Sequence, residues 1–206
     1  MKILFIDTSI SFINLAIIDN NQIIVSYHEK VAKDMSNRIV PLLSEAFNKC
    51  NFSIHEIDKI FVINGPGSFT GIRIGVTVAK IIAYSLQKEV IPLSSLEFMA
   101  CTKSNKKYLV PMIDARRGNV YAGIYDNNLD IILNDQLISY EQLSKQINDS
   151  YEQISYDFEN MLAPDCDILK VINKHLNDNP INPHFLNPNY LKLTEAEEKY
   201  NDKISN

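Results

Sequence analysis

The chain opens on apolar runs broken at short intervals. Residues 2–8 (KILFIDT), 12–19 (FINLAIID) and 22–28 (QIIVSYH) are rich in Ile, Phe and Val, the composition of buried strands. Asn20-Asn21 alone links the second run to the third, and such a pair predicts a tight hairpin. The period then changes. Ile39, Val40, Leu42, Leu43, Ala46 and Phe47 recur at helical spacing as a broad stripe. They predict a helix capped by Asp34 or Ser36 and running to about Cys50. Residues 58–63 (DKIFVI) predict a short strand, and a helix follows from about Thr70 to Leu86. Residues 89–93 (EVIPL) predict another strand. Ser94-x-x-Glu97 has capping-box spacing and opens a helix toward Cys101.

The second half begins the same way. Residues 108–114 (YLVPMID) and 119–125 (NVYAGIY) predict a hairpin around Ala115-Arg116-Arg117-Gly118, and residues 131–138 a third strand. Ser139-x-x-Gln142 caps another helix. Residues 164–177 predict one more, with Pro164 near its start. Pro180, Pro183 and Pro188 predict a mostly extended tail. The order βββαβα thus occurs once in full and once truncated, as a repeat of elements and not of sequence. It predicts a two-domain α/β fold. Residues 1–104 form the first domain, and residues 105–206 a smaller, degenerate second domain with the tail. Paired halves of this kind resemble the RNase H-like superfamily of actin, Hsp70 and the acetate and sugar kinases, a likeness that bears on fold and not on function.

Composition narrows the classes. Of 6 Gly in 206 residues, four (Gly65, Gly67, Gly71, Gly75) fall in one short segment, and none follows Gly123. The 3 Cys are scattered and lack CxxC spacing, which fits a reducing compartment, the cytoplasm, and not a disulfide framework. Asp7 interrupts the N-terminal apolar run, so no signal-peptide core is expected. No apolar run approaches the ~20 residues of a bilayer crossing, and no membrane partner is expected. Net charge is −5. Residues 1–126 hold 14 basic and 11 acidic side chains, and residues 127–206 hold 6 and 14. This lacks the basic footprint of a stand-alone nucleic-acid binder.

The glycine segment reads Asn64-Gly65-Pro66-Gly67-Ser68-Phe69-Thr70-Gly71-Ile72-Arg73-Ile74-Gly75. A strand ends there, a Gly-Pro-Gly turn follows, and Ser68 or Thr70 caps a helix. Free N–H groups at a helix start hold anions, so the segment reads either as a phosphate cradle or as a packing turn. It lacks P-loop and GxGxxG spacing. Gly71 and Gly75, four apart on one helix face, predict close approach of another backbone. GPGSFTGIRIG, with DTS near the N-terminus, PLSSLE at 92–97 and IDARRGNVY at 113–121, resembles the bacterial TsaB (YeaZ) family. Pro188-Asn189-Tyr190-Leu191-Lys192 resembles that family's closing motif. The likeness covers most of residues 3–125 and a short piece near 190. It implies a non-catalytic assembly subunit of the complex that makes N6-threonylcarbamoyladenosine beside the tRNA anticodon. It implies contact with the paralogue TsaD, which performs the transfer, through N-domain helices, and with the ATPase TsaE. ATP, ADP and metal then enter through those partners, and tRNA meets this chain only within the complex. The family's first helix usually opens on His-Ser, and here the pair is Met35-Ser36. Residues 127–187 are short and diverged.

The chain's own chemistry agrees with a non-enzyme. His28, His55, His175 and His184 have no i, i+4 spacing for a metal. The N-terminal turn Asp7-Thr8-Ser9-Ile10-Ser11 has no Gly to lie against a nucleotide, so weak or absent ATP binding is expected. Asp7 reads as a turn cap or as a relic of a metal-nucleotide aspartate. The second long helix is apolar nearly all round, which predicts burial on more than one side. A partner, or a second copy when the chain is alone, would cover it. The expected interface is Ser36, Ile39, Leu43, Val76, Lys80 and Ile82. The motif loop is Gly65, Pro66, Gly67, Ser68, Phe69, Thr70, Gly71, Arg73 and Gly75. Arg73, Arg116 and Arg117 are the expected anion contacts. The competing readings are a small-molecule kinase or ATPase of the same superfamily, and a metallopeptidase.

Overall fold

The computed structural model describes residues 1–31 and 34–191. β1 (Lys2–Asp7), β2 (Phe12–Asp19) and β3 (Gln22–Lys30) form an antiparallel meander. Asn20 and Asn21 turn it with φ of 47° and 63°, the paired left-handed residues a two-residue hairpin needs. β4 (Lys59–Gly65) joins β1 in parallel and β5 (Glu89–Ser94) joins β4, giving the order β3-β2-β1-β4-β5. α1 (Met35–Cys50) and α2 (Phe69–Leu86) cover one face of this sheet. Leu4, Ile6, Ile60 and Val62 pack there with Leu42, Ala46, Ile72 and Ala79. The other face is also buried. Ile3, Phe5, Phe61 and Ile63 meet Phe98, Leu109, Tyr125 and Val171. Burial on both faces explains why β1 and β4 read as continuous apolar runs and not as alternation.

The second sheet repeats the first. β6 (Tyr108–Arg116), β7 (Asn119–Asp126), β8 (Ile131–Ser139) and β9 (Tyr151–Ile154) take the order β8-β7-β6-β9, with β9 parallel to β6. This is the first sheet's order without its fifth strand, the expected truncation. β9 itself was not expected, because YEQI is too short and mixed to show a period. α3 (Ser95–Met99), α4 (Tyr140–Ser144) and α5 (Ile168–His175) complete the helices. α5 is shorter than residues 164–177 because Asp167 caps it, accepting the Lys170 N–H at 3.2 Å. The Ser94 hydroxyl caps α3 and the Ser139 hydroxyl caps α4. The Ser94–Glu97 box does not close, however. The Glu97 carboxylate turns instead to His175 Nε2 at 2.9 Å. Neither Asp34 nor Ser36 caps α1 by a side chain; Asp34 stands at its start with φ of 67°.

Residues after α5 cross back to the first sheet. Ile181 bridges the free edge of β5, and Leu186 is fully buried among the first sheet's helices. Lys59 donates to the Leu176 carbonyl at 3.0 Å, and Lys80 to the carbonyls of His184 and Leu186 at 3.0 and 3.3 Å. By contact, the tail belongs with the first half, although it follows the second. Lys192 and the remaining residues lie outside the described ones. α2 has a mean hydropathy of 1.3 over 18 residues, enough in length and composition to cross a bilayer. It is packed by one side on β1 and β4, with 33% of that window buried, and carries Arg73 and Lys80.

Hydrogen bonding to Glu97, helped by Asp178, raises the His175 pKa above 6.5 despite partial burial. The protonated form is therefore favoured in the folded chain. Its stabilisation is complete below the ordinary His pKa and fades as pH rises through the raised value. The melting advantage of the native chain over His175→Ala is accordingly expected to shrink between about pH 6 and about pH 8. A pH-independent difference in thermal melts would contradict this.

Candidate functional site

The motif fragments scattered along the sequence meet at one place. β4 ends at Gly65, whose φ is 125°, a conformation that L side chains rarely adopt. Ser68 caps α2 by accepting the Gly71 N–H at 3.2 Å, and donates its own N–H to the Ser9 carbonyl at 2.6 Å. The Thr8 hydroxyl donates to the Gly71 carbonyl at 2.7 Å. A Cβ on Gly71 would overlap the Thr8 carbonyl oxygen, and one on Gly75 the Thr8 hydroxyl. The backbone that closely approaches this helix face is therefore the chain's own β1–β2 turn. Ser95, from the SSLE segment, donates to the Pro66 carbonyl. The closing motif arrives from the tail: the Asn189 N–H donates to the Asn64 carbonyl at 2.7 Å, and Tyr190 stacks on Phe69 at 4.8 Å. Arg73 lies over the Phe69 ring and donates from Nε to the Tyr190 hydroxyl at 2.6 Å.

Asp7 anchors the turn. It is buried, and desolvation pushes its pKa up against the pull of its donors. Those donors are the Ser9 N–H and hydroxyl and the Asn14 amide, at 2.7–2.8 Å. A carboxylate bonded on both oxygens in this way is a turn cap.

A cleft of ≈ 540 Å³ separates this junction from the β6–β7 hairpin. Its far wall carries Asp114, Arg116 and Asp157. Asp114 accepts the backbone N–H of Arg116 at 2.8 Å rather than a guanidinium. Arg116, Arg117 and Gly118 all have positive φ, and this turn presents both Arg side chains to solvent.

A second feature lies on the helical face. α1 and α2 leave between them a groove of ≈ 530 Å³. Val40, Phe47, Val78 and Ile81 form its walls, and Leu43 and Ile82 its floor. Val40 is 60% and Ile81 58% exposed, unusual for apolar side chains facing one another across two helices. Arg38 binds Glu29 and Glu45 at 2.7 and 2.6 Å, and Lys2 binds Glu56 at 2.7 Å.

Comparison with known proteins decides the family. A family model described as TsaD, tRNA N6-adenosine threonylcarbamoyltransferase, matches residues 20–179. The Bacillus subtilis protein named tRNA threonylcarbamoyladenosine biosynthesis protein TsaB is 32% identical over 97% of this chain and 98% of its own length. The chain belongs to the TsaB (YeaZ) family. The Escherichia coli protein of the same name is 30% identical over 62% of this chain and 56% of its own. YeaZ from Pseudomonas aeruginosa shares the fold, with a TM-score of 0.77 at 19% identity over 92% of this chain and 99% of that one.

The TsaB family motifs and the expected site residues part company in places. The space beside Gly65, Gly67 and Gly71 is filled by Asn189, Ser9 and Thr8. Arg73 is held by Phe69 and Tyr190, whereas Arg116 and Arg117 are exposed. Among the expected interface residues, Ile39, Leu43, Val76 and Ile82 are only 1%, 7%, 4% and 9% exposed. Ile39 and Val76 point into the chain's own core, and Leu43 and Ile82 reach solvent only at the groove floor. Lys80 is committed to the tail, and Ser36 is exposed. The apolar side chains of these helices that face solvent along the groove are Val40, Val78 and Ile81. They occupy the same helices one or two positions away from the expected ones. An apolar stripe this broad does not show which of its edges the sheet covers.

Proposed function

We propose that this protein is the non-catalytic assembly subunit of a complex that forms N6-threonylcarbamoyladenosine in tRNA. In this reading its α1–α2 groove seats helices of a TsaD-like catalytic subunit. The groove carries the proposal: a continuous apolar surface between two exposed helices is the kind of patch that marks a protein interface. The names of the relatives supply the pathway. A transferase family model that spans residues 20–179 supports a partner built on the same scaffold, so that like helix pairs can meet across a pseudo-twofold axis. A TsaE-like ATPase is the second partner, tRNA is met through the complex, and the setting is cytoplasmic. In isolation a second copy covers the groove.

The filled junction supports weak nucleotide binding by the chain alone. A phosphate cradle needs space and donors, and Gly65, Gly67 and Gly71 here receive carbonyl oxygens of the chain itself. In this reading any metal enters with the partners. Co-expression with a tagged TsaD-like protein is expected to carry this chain through affinity and size-exclusion steps. Separate elution overturns the reading. Calorimetry of the isolated chain with ATP and Mg²⁺ is expected to give only heats of dilution. Tight binding would instead favour a kinase or ATPase.

A further inference from the structure

A pocket of ≈ 330 Å³ lies away from the groove, where β2 and β3 meet the segment leading into α5. Asn14, Ser26, His28, Tyr156, Asp165 and Cys166 are among its walls. A chain of hydrogen bonds fixes the chemistry of its imidazole. The Asn14 amide nitrogen donates to Asp7 Oδ2 at 2.7 Å. Asn14 therefore turns its Oδ1 the other way, and that oxygen meets His28 Nδ1. A carbonyl oxygen only accepts. Nδ1 therefore carries a proton, and in the tautomer this leaves for an uncharged ring the lone pair is on Nε2. Phe12 stacks on the ring at 4.4 Å and holds its plane.

The other groups sharpen the pocket's preference. The Tyr156 hydroxyl is spent on the Pro164 carbonyl at 3.3 Å. Burial pushes the Cys166 thiol up to about 12, so it is no nucleophile at neutral pH. The Asp165 backbone donates to Thr102, while its carboxylate is exposed and has no hydrogen-bond or ion-pair partner among the described residues. The groups left to meet a ligand are His28 Nε2, the Asp165 carboxylate and the Tyr27 hydroxyl, which is buried with no hydrogen-bond partner among the described residues.

We propose that this pocket binds a small organic monocation carrying N–H donors, an ammonium or guanidinium group, with His28 Nε2 and the Asp165 carboxylate as its acceptors. At about 30 Å³ per water, the space suits a molecule of about ten heavy atoms. A ligand there would touch the far end of a bonded path, His28–Asn14–Asp7–Ser9, that reaches the motif loop through the Ser68 N–H.

The test is an NMR titration of the full chain, following the His28 ring ¹⁵N and Cε1–H signals. The probes are methylguanidinium chloride and n-butylammonium chloride, with sodium butyrate as the anion control. Either cation is expected to saturate the His28 shifts with one-to-one stoichiometry, moving the Nε2 signal as an acceptor would move, while butyrate leaves them unchanged. Asp165→Asn, on the surface and outside the Asp7 network, is expected to weaken binding about tenfold with an unchanged melt. His28→Gln is expected to abolish saturation at the remaining pocket signals. Non-saturable shifts, equal binding of butyrate, or affinities unchanged in both variants would overturn the proposal.

Discussion

Replacing Ile81 by Glu is expected to remove the complex with a TsaD-like partner while leaving the monomer folded. Ile81 is 58% exposed on the wall of the α1–α2 groove, so the free chain can leave a carboxylate there in water. Surface changes of this kind usually alter stability by no more than about 0.5 kcal/mol. In the complex the same carboxylate would be desolvated among Val40, Phe47 and Val78 without a cation. Losses at such central apolar anchors reach about 2 kcal/mol or more, roughly thirtyfold in affinity. Ile82→Glu, one residue along, is the contrast. Ile82 is 9% exposed on the groove floor, and an unpaired charge there is expected to unfold the chain. Size exclusion, calorimetry against the partner and thermal melts distinguish the two. Intact binding by the folded Ile81→Glu chain would mean that the groove is not the interface.

Gly71→Val is expected to cost about 3 kcal/mol, at the upper end of overpacking penalties. The added Cβ meets the Thr8 carbonyl oxygen, and backbone cannot swing aside as a side chain can. Thr8 is also tied to Asp7 and Ser9, so relief would require moving the whole β1–β2 turn. Gly75→Ala meets only the Thr8 hydroxyl and is expected to cost less. Thr8→Ala removes that atom together with its bond to the Gly71 carbonyl. The double variant Thr8→Ala/Gly75→Ala is therefore expected to be more stable than the sum of its parts, a coupling that denaturant melts measure. Strict additivity would place the origin of the Gly75 constraint elsewhere.

Much of the fold is legible because burial is so uneven. β1 and β4 are sandwiched between two cores, and their uninterrupted Ile, Phe and Val runs mark them. Asn20-Asn21 and the three serine caps carry local chemistry that needs no tertiary context. β9 and the path of the tail have no such signal. YEQI is held by β6 rather than by its own period. Leu186 is buried only because α2 and Lys80 receive the tail. The motif junction was visible as a glycine cluster, but what enters the glycine gaps was not. Thr8 lies 63 residues from Gly71 in sequence, and only the parallel pairing of β1 with β4 brings them together. Which side of the apolar stripe is buried was hidden for a similar reason. Helical spacing places Ile81 and Ile82 in one apolar stripe, and the sheet alone decides that Ile82 faces inward.

The central claim is that this chain enables the modification without performing it. The most direct measurement is threonylcarbamoylation of a substrate tRNA by a purified TsaD-like protein and a TsaE-like ATPase, with and without this chain. The account predicts that product forms only when the chain is added, and that the folded Ile81→Glu chain fails to support it. Full product formation without the chain would contradict the account.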